Sequence, residues 1–247
     1  MSGVFARELR NQQRLYWRSR EAAFFTFLLP IIFLVLLGSV YGDDDIDGIK
    51  GSTYLLAGLL GYGVVATAFA GLSITMVLRR ESGVLKRVRG TPLPTSVYLA
   101  AVIVSTLVVL TLECAALIAI GQALDAGAPA SPFGLALALL VGAIVFAALG
   151  LALTGLVRSD EGASALVNAI YLPLVFISGV FFSVDSLPSF LQAVADISPL
   201  TYLLDLVRDL YIDGGNPSAT DLAVLVAWGI AGLVVALRVF RWEPREV

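Results

Sequence analysis

The sequence predicts an all-α integral membrane protein: six transmembrane helices, an amino-terminal interfacial amphipathic helix, and short extracellular helices between spans five and six. Three observations carry this. The first is composition, 58% hydrophobic with only 14% charged residues and a mean hydropathy of +0.90. An ordinary soluble domain carries about 25% charged residues, so the polar side chains here are too few to cover a water-soluble core. The second is a series of uncharged runs, each near the roughly 20 residues that a helix needs to cross the bilayer, which fill most of the chain. They leave no segment for a second domain, so residues 1–247 read as one membrane domain. The third is the strong bias of Lys and Arg to alternate connections.

The elements follow in order. Residues 1–21 are basic, and on a helical wheel Arg7, Arg10, Arg14 and Arg18 share one face while Phe5, Leu9 and Tyr16 lie opposite. This describes a helix lying in the membrane plane, either as a basic anchor that fixes topology or as a docking surface for a partner. The apolar run at 22–42 is longer than a signal-peptide core and is closed by no small-residue cleavage pattern, so it is expected to be an uncleaved first span. The second span is 51–78, and a basic loop, 79–94, follows it. The third, 95–124, is interrupted only by Glu113. The fourth is 133–157 and the fifth 162–184, with Pro173 expected to kink it. The sixth, 222–237, is short by itself, but Arg238 and Arg241 can snorkel while Val239, Phe240 and Trp242 extend it into the interface.

Fourteen of the sixteen Lys and Arg residues, Arg158 and Arg245 among them, then fall on one side, and only Lys50 and Arg208 on the other. The positive-inside rule places both termini and the 79–94 loop in the cytoplasm of an inner or plasma membrane, and leaves Asp43, Asp44, Asp45 and Asp47 outside. The outside segment 185–221 is too long and apolar for a plain connector. Leu187, Phe190, Leu191 and Val194 repeat at helical spacing, and after Pro199 a second helix puts Leu200, Leu203, Leu204, Val207, Leu210 and Tyr211 on one face, ending at Gly214 and Gly215. Small residues recur every four positions at Gly63, Thr67, Gly71 and at Gly134, Ala138, Gly142, a spacing that lets helix backbones approach.

Several chemistries are excluded. The chain has no His and a single cysteine, Cys114, which removes the usual zinc sites and every His-based catalytic dyad, so no metal site and no catalytic residue is expected. Neither lysine, Lys50 nor Lys86, follows a phosphate-binding loop, and there is no nucleophile elbow. Glu113 is the one ionisable residue well inside a span, where its cost requires it to face the bundle interior, a partner or water. It fits a substrate-cation or proton-linked role, a buried structural hydrogen bond, or a place near the outer interface. Asn168 and Tyr171, early in span five, are further candidates for lining a path, with packing as the simpler role for both.

Two stretches resemble a known family. The loop reads RESGVLKRVRGTPLP over 80–94, and the fifth span continues as YLPLVFISGVFFSVDSLPSFLQ over 171–192 and SPLTYLLDLVRDLY over 198–211. Both look like the type-2 permeases of ATP-binding-cassette (ABC) transporters, which include bacterial exporters of drugs, lipids and polysaccharides; order, spacing and topology agree along essentially the whole chain. The resemblance implies a membrane subunit without a cofactor of its own, working with a second permease, identical or not, and with separate cytoplasmic ATPase subunits that carry ATP and Mg²⁺. Membrane lipid is then the surrounding partner and no nucleic acid is involved. It also implies that the 79–94 loop is the coupling element docking on the ATPase, a role that maps onto Glu81, Gly83, Leu85, Lys86, Arg87 and Arg89. Two other readings stay open: an ion-coupled secondary transporter using Glu113, and a membrane anchor that transports nothing.

Overall fold

The computed structural model describes residues 2–157, 159–214 and 217–240. Arg158, Gly215, Arg241, Trp242 and Arg245, invoked above for topology and helix ends, lie outside the described residues. The fold is helical apart from one small hairpin, and five of its described helices are long and apolar enough to cross a membrane.

Helix α1 (Ser2–Arg18) has its four arginines Arg7, Arg10, Arg14 and Arg18 exposed. Its inner side is more polar than the wheel suggests, because Gln12 is buried there and Gln13 Nε2 donates to the carbonyl oxygen and Oγ of Ser105, at 3.0 and 2.9 Å. Ser19 breaks the chain and accepts from the Ala22 amide, starting α2 (Arg20–Tyr41). Within α2 the turn at Phe24–Leu28 is π-helical. Pro30 has no N–H to give the Thr26 carbonyl four residues back, and a widened turn accommodates that missing bond.

A hairpin, β1 (Asp45–Ile46) and β2 (Ile49–Lys50), joins α2 to the next helix, an element absent from the predicted acidic loop. Asp47 and Gly48 both have positive φ, the signature of a tight two-residue turn, and the Gly48 amide donates to Asp45 Oδ1 at 2.7 Å. Helix α3 (Gly51–Glu81) is the central column, buried along nearly its whole apolar length and π-helical at Val65–Gly71. Its 31 residues span about 46 Å at 1.5 Å each, well beyond the hydrocarbon core. The short α4 (Val84–Arg89) leads to α5 (Thr95–Ala123) and α6 (Pro132–Thr154).

Helix α7 (Asp160–Ile177) runs through Pro173 but stops short of the predicted end at 184. The reason is local: Gly179 adopts φ +86, and the Tyr54 hydroxyl donates to its carbonyl at 3.0 Å. Residues 178–184 are uncharged yet fold back over α3, where a Cβ on Gly58 would lie 2.0 Å from the Val180 carbonyl oxygen. Helices α8 (Ser189–Ala195) and α9 (Pro199–Ile212) follow at 77° to each other. Helix α9 buries the predicted stripe Leu200, Leu203, Leu204, Val207, Leu210 and Tyr211, with Leu206 added, against α3, α6 and α10 (Ala219–Val239). Arg208 lies over the Tyr54 ring at 4.1 Å and donates to the Gly179 carbonyl, locking α9 to α3 and to the end of α7.

The predicted glycine stripes work differently from plain backbone contacts. Gly63 makes room for the Glu113 carboxyl and Gly142 for Leu203, whereas the close backbone approach occurs at Gly150, where a Cβ would lie 2.9 Å from the Phe69 carbonyl oxygen. Packing is uneven. Helices α3, α6, α9 and α10 form a compact half, while α2 and α7 touch the rest mainly through α3 and leave most of their surface uncovered.

Candidate functional site

A cavity of about 1170 Å³ lies between α1, α2, α3, α5 and α7. Its walls change character along its length. At one end are Gln12, Ser19, Arg79 and Ser105; in the middle Thr26, Tyr62, Thr67, Asn168 and Tyr171; at the far end Phe33, Phe176 and Phe181. The Phe181 ring sits 5.7 Å from the rings of both Phe33 and Phe176, closing the far end with aromatics. Both π-helical turns contribute, with Phe25 and Thr26 from α2 and Ala66, Thr67, Ala70 and Gly71 from α3. Such widened turns recur where a helix must present groups that a regular ladder would hide.

Of the three path residues read from the sequence, Asn168 and Tyr171 stand on the cavity wall and Glu113 one side chain behind it. Glu113 is 1% exposed, its Oε2 accepts from Thr67 Oγ1 at 3.0 Å, and Oε1 has no hydrogen-bond partner among the described residues. This buries it within the bundle, where α3 meets it with Gly63 and a Cβ would lie 2.7 Å from its Oε1. Tyr62 and Tyr171, both on the cavity wall, lie beside it with ring centroids 6.0 Å apart and planes tilted at 45°. Sequence reasoning missed Thr67 as the partner of Glu113, although it had been noted as a small residue, and it missed Tyr62 and Arg79; only Tyr62, a polar aromatic in the middle of an apolar run, left a visible signal.

The loop after α3 is a built structure. Gly83 takes φ +70, which lets the chain turn sharply into α4, and Leu85 is fully buried, pinning α4 to the core. Lys86 and Arg87 are exposed, with Arg87 Nη2 reaching the Ser82 carbonyl at 3.3 Å. Glu81 is only half-free: its Oε1 accepts from Arg80 Nε at 2.7 Å. Arg80, counted above only as a topology charge, is 2% exposed and donates through Nη1 to the Thr154 carbonyl and through Nη2 to the Val157 carbonyl, both at 2.8 Å. The first belongs to the last residue of α6 and the second lies three residues beyond it, so one guanidinium caps α6 and holds the chain that leaves it from the base of α3. The six loop residues therefore divide: Gly83 and Leu85 shape α4, Glu81 holds Arg80, Lys86 and Arg87 face outward, and Arg89 is exposed at the end of α4.

Known proteins resemble this chain in sequence. It is similar to the putative transport permease YvfS of Bacillus subtilis (strain 168), 26% identical over 225 residues that cover 90% of this chain and 87% of the relative. It is 23% identical to the inner membrane transport permease YadH of Escherichia coli (strain K12), over 94% of this chain and 90% of that protein. A shorter likeness, 28% over 98 residues, covers 39% of this chain and 26% of the probable multidrug ABC transporter permease YbhS of Escherichia coli (strain K12). Residues 5–212 match the family described as ABC-2 type transporter. With that match spanning most of a multi-pass helical bundle, the chain belongs to the ABC-2 type transporter family and is a transport permease of it.

Proposed function

We propose that this permease is the membrane-spanning subunit of an ATP-driven exporter, coupled through α4 to separate ATPase subunits that bind ATP and Mg²⁺. On this reading α7 is the fifth of six spans, the 185–221 segment folds back on the outer side, and both termini lie in the cytoplasm of the inner membrane, as the charge distribution favours. The whole of residues 1–247 acts as one domain, α1 lies along the inner interface, and the chain performs no catalysis itself. A second permease completes the path along α2 and α7. The observation that carries the reading is α4: a short helix pinned by buried Leu85 at the foot of the central column, presenting Lys86 and Arg87 to solvent, while its neighbour Arg80 grips the end of α6. A push on α4 is thereby passed to α3 and α6 together, and α3 lines the cavity. Substrate enters from the cytoplasm or the inner leaflet.

The test is to purify the chain in mild detergent with its ATPase and compare Lys86→Ala/Arg87→Ala with the parent. The expected result is equimolar co-purification for the parent, and for the variant transport and stimulated ATPase activity lowered at least severalfold at an unchanged membrane level. Unchanged transport removes the coupling role. One observation favours an ion-coupled secondary transporter, namely the buried Glu113 carboxyl beside the cavity with an oxygen unpartnered among the described residues. It requires transport by the purified chain alone, driven by a pH gradient and lost in Glu113→Gln. A membrane anchor that transports nothing leaves the cavity without a use.

A further inference from the structure

We propose that the cavity takes an anionic amphiphile, a single apolar chain ending in a phosphate-like head, and that Arg79 holds the head. This rests on the reading of the cavity as a substrate path and names the substrate class for it. Arg79 and Arg80 are adjacent, and 100° of helical rotation sends them to different places. Arg80 is buried and engaged through all three of its nitrogens, by Glu81 and two carbonyls. Arg79 is half-buried, lines the cavity, and donates Nη1 to the Tyr98 hydroxyl at 3.0 Å; among the described residues no carboxylate pairs with it. It is also the one charged side chain on the cavity wall among the described residues.

A half-buried guanidinium on the cavity wall with no carboxylate partner among the described residues favours an anion brought from outside, and its planar fork suits the oxygens of a phosphate. The neighbours fit a head group. Gln12, Ser19, Ser105 and Thr106 supply uncharged donors and acceptors at the same end, and Ser105 Oγ, already accepting from Gln13, still has its own proton to give. The opposite end is aromatic. On α2 the lining runs from Ser19 to Leu37, a rise of about 27 Å, close to the thickness of the hydrocarbon core. The polar end is the one that the charge distribution assigns to the inner leaflet, which is where a lipid-like substrate would present its head. Glu113 does not argue for a cation here, because it sits behind Thr67 and off the cavity wall.

The experiment uses the full chain in zwitterionic vesicles, without ATP. A dodecyl phosphate carrying a photoreactive diazirine on its tail is cross-linked, and labelled peptides are mapped by mass spectrometry. The trimethylammonium analogue with the same tail serves as the charge control, and millimolar inorganic phosphate as a competitor. Labelling of α2 and α7 by the phosphate probe is expected to fall about ten- to a hundredfold in Arg79→Gln, the weight of one charge-assisted fork, and to be largely retained in Arg79→Lys. Tyr98→Phe, which removes the hydrogen bond but keeps the charge, should label like the parent, and Arg79→Gln should melt at the parent temperature. The ammonium probe should label at least tenfold less and ignore the substitution. Equal labelling by the two head groups, or an unchanged signal in Arg79→Gln, overturns the proposal. Displacement of the probe by inorganic phosphate alone would also overturn it, showing a free-anion site instead. Co-purification with an ATPase is read separately, so coupling can stand while the substrate class falls, and the reverse.

Discussion

Arg80 shows how much of this fold depends on single side chains that join distant segments. Its guanidinium is held by one carboxylate and two carbonyls while 2% exposed, so Arg80→Ala both uncaps α6 and leaves the half-buried Glu81 without its partner. Leaving two buried carbonyls and a half-buried carboxylate unpaired costs roughly 1–3 kcal/mol, and thermal unfolding in detergent should show that loss, with Arg80→Lys recovering only part because one ammonium cannot copy the fork. Glu113 is the opposite case. Gln keeps an oxygen to accept from Thr67 and fits beside Gly63, so Glu113→Gln should change stability by less than about 1 kcal/mol and leave ATP-driven transport near the parent rate. Loss of transport at normal membrane levels would instead favour the ion-coupled reading. At this scale the sequence told only part of the story. A lone carboxyl in an apolar run is legible because its cost is local, whereas Arg79 and Arg80 are alike in type and adjacent, and only the packing of α3 against α5 and α6 separates their roles.

Elements were legible where one property decides them. Apolar length placed α2, α3 and α6, and α5 despite Glu113, while α10 needed snorkelling arginines to reach span length; a 3.6-residue apolar period gave the buried face of α9 before any contact was known. Where two properties compete, the outcome was hidden. The uncharged run beyond Ile177 is long enough to continue α7, but the left-handed Gly179 and the contact with α3 end the helix there. The hairpin at 45–50 was masked in the same way by its acidic composition, although Asp47-Gly48 is a turn signal. The fold-back after α7 gives a prediction for an element boundary. A methyl on Gly58 meets the Val180 backbone at 2.0 Å, so Gly58→Ala must push α3 and the 178–184 segment apart, at a cost of roughly 1–3 kcal/mol. Gly3→Ala, where nothing lies within 4 Å, is the matched control and should melt like the parent. Equal melting of the two variants would mean that the fold-back is not packed as described.

For the molecule as a whole, the uncovered surfaces differ in kind. The uncovered faces of α6 and α10 are aliphatic apart from Phe133 and Trp228, with Leu137, Leu140 and Ile144 on one and Ile230, Leu233 and Leu237 on the other, whereas α2 and α7 add Phe24, Phe25 and Phe176 to aliphatics such as Leu36 and Leu172. Aromatic side chains are over-represented at the buried centres of protein interfaces, and a cavity bounded by only one permease stays open to lipid along α2 and α7. A second copy seated there would close it. Cysteine chemistry can test this because the chain has one cysteine, Cys114, and it is buried. In a Cys114→Ala background, Phe176→Cys should give a disulfide-linked dimer on mild oxidation in membranes, since a symmetric contact brings equivalent positions near the two-fold axis. Leu237→Cys, 77% exposed on α10, should remain monomeric under the same treatment. If the linked species forms at Leu237→Cys and not at Phe176→Cys, the partner sits on the α6–α10 side, and the cavity between α2 and α7 opens to lipid instead of to a second permease.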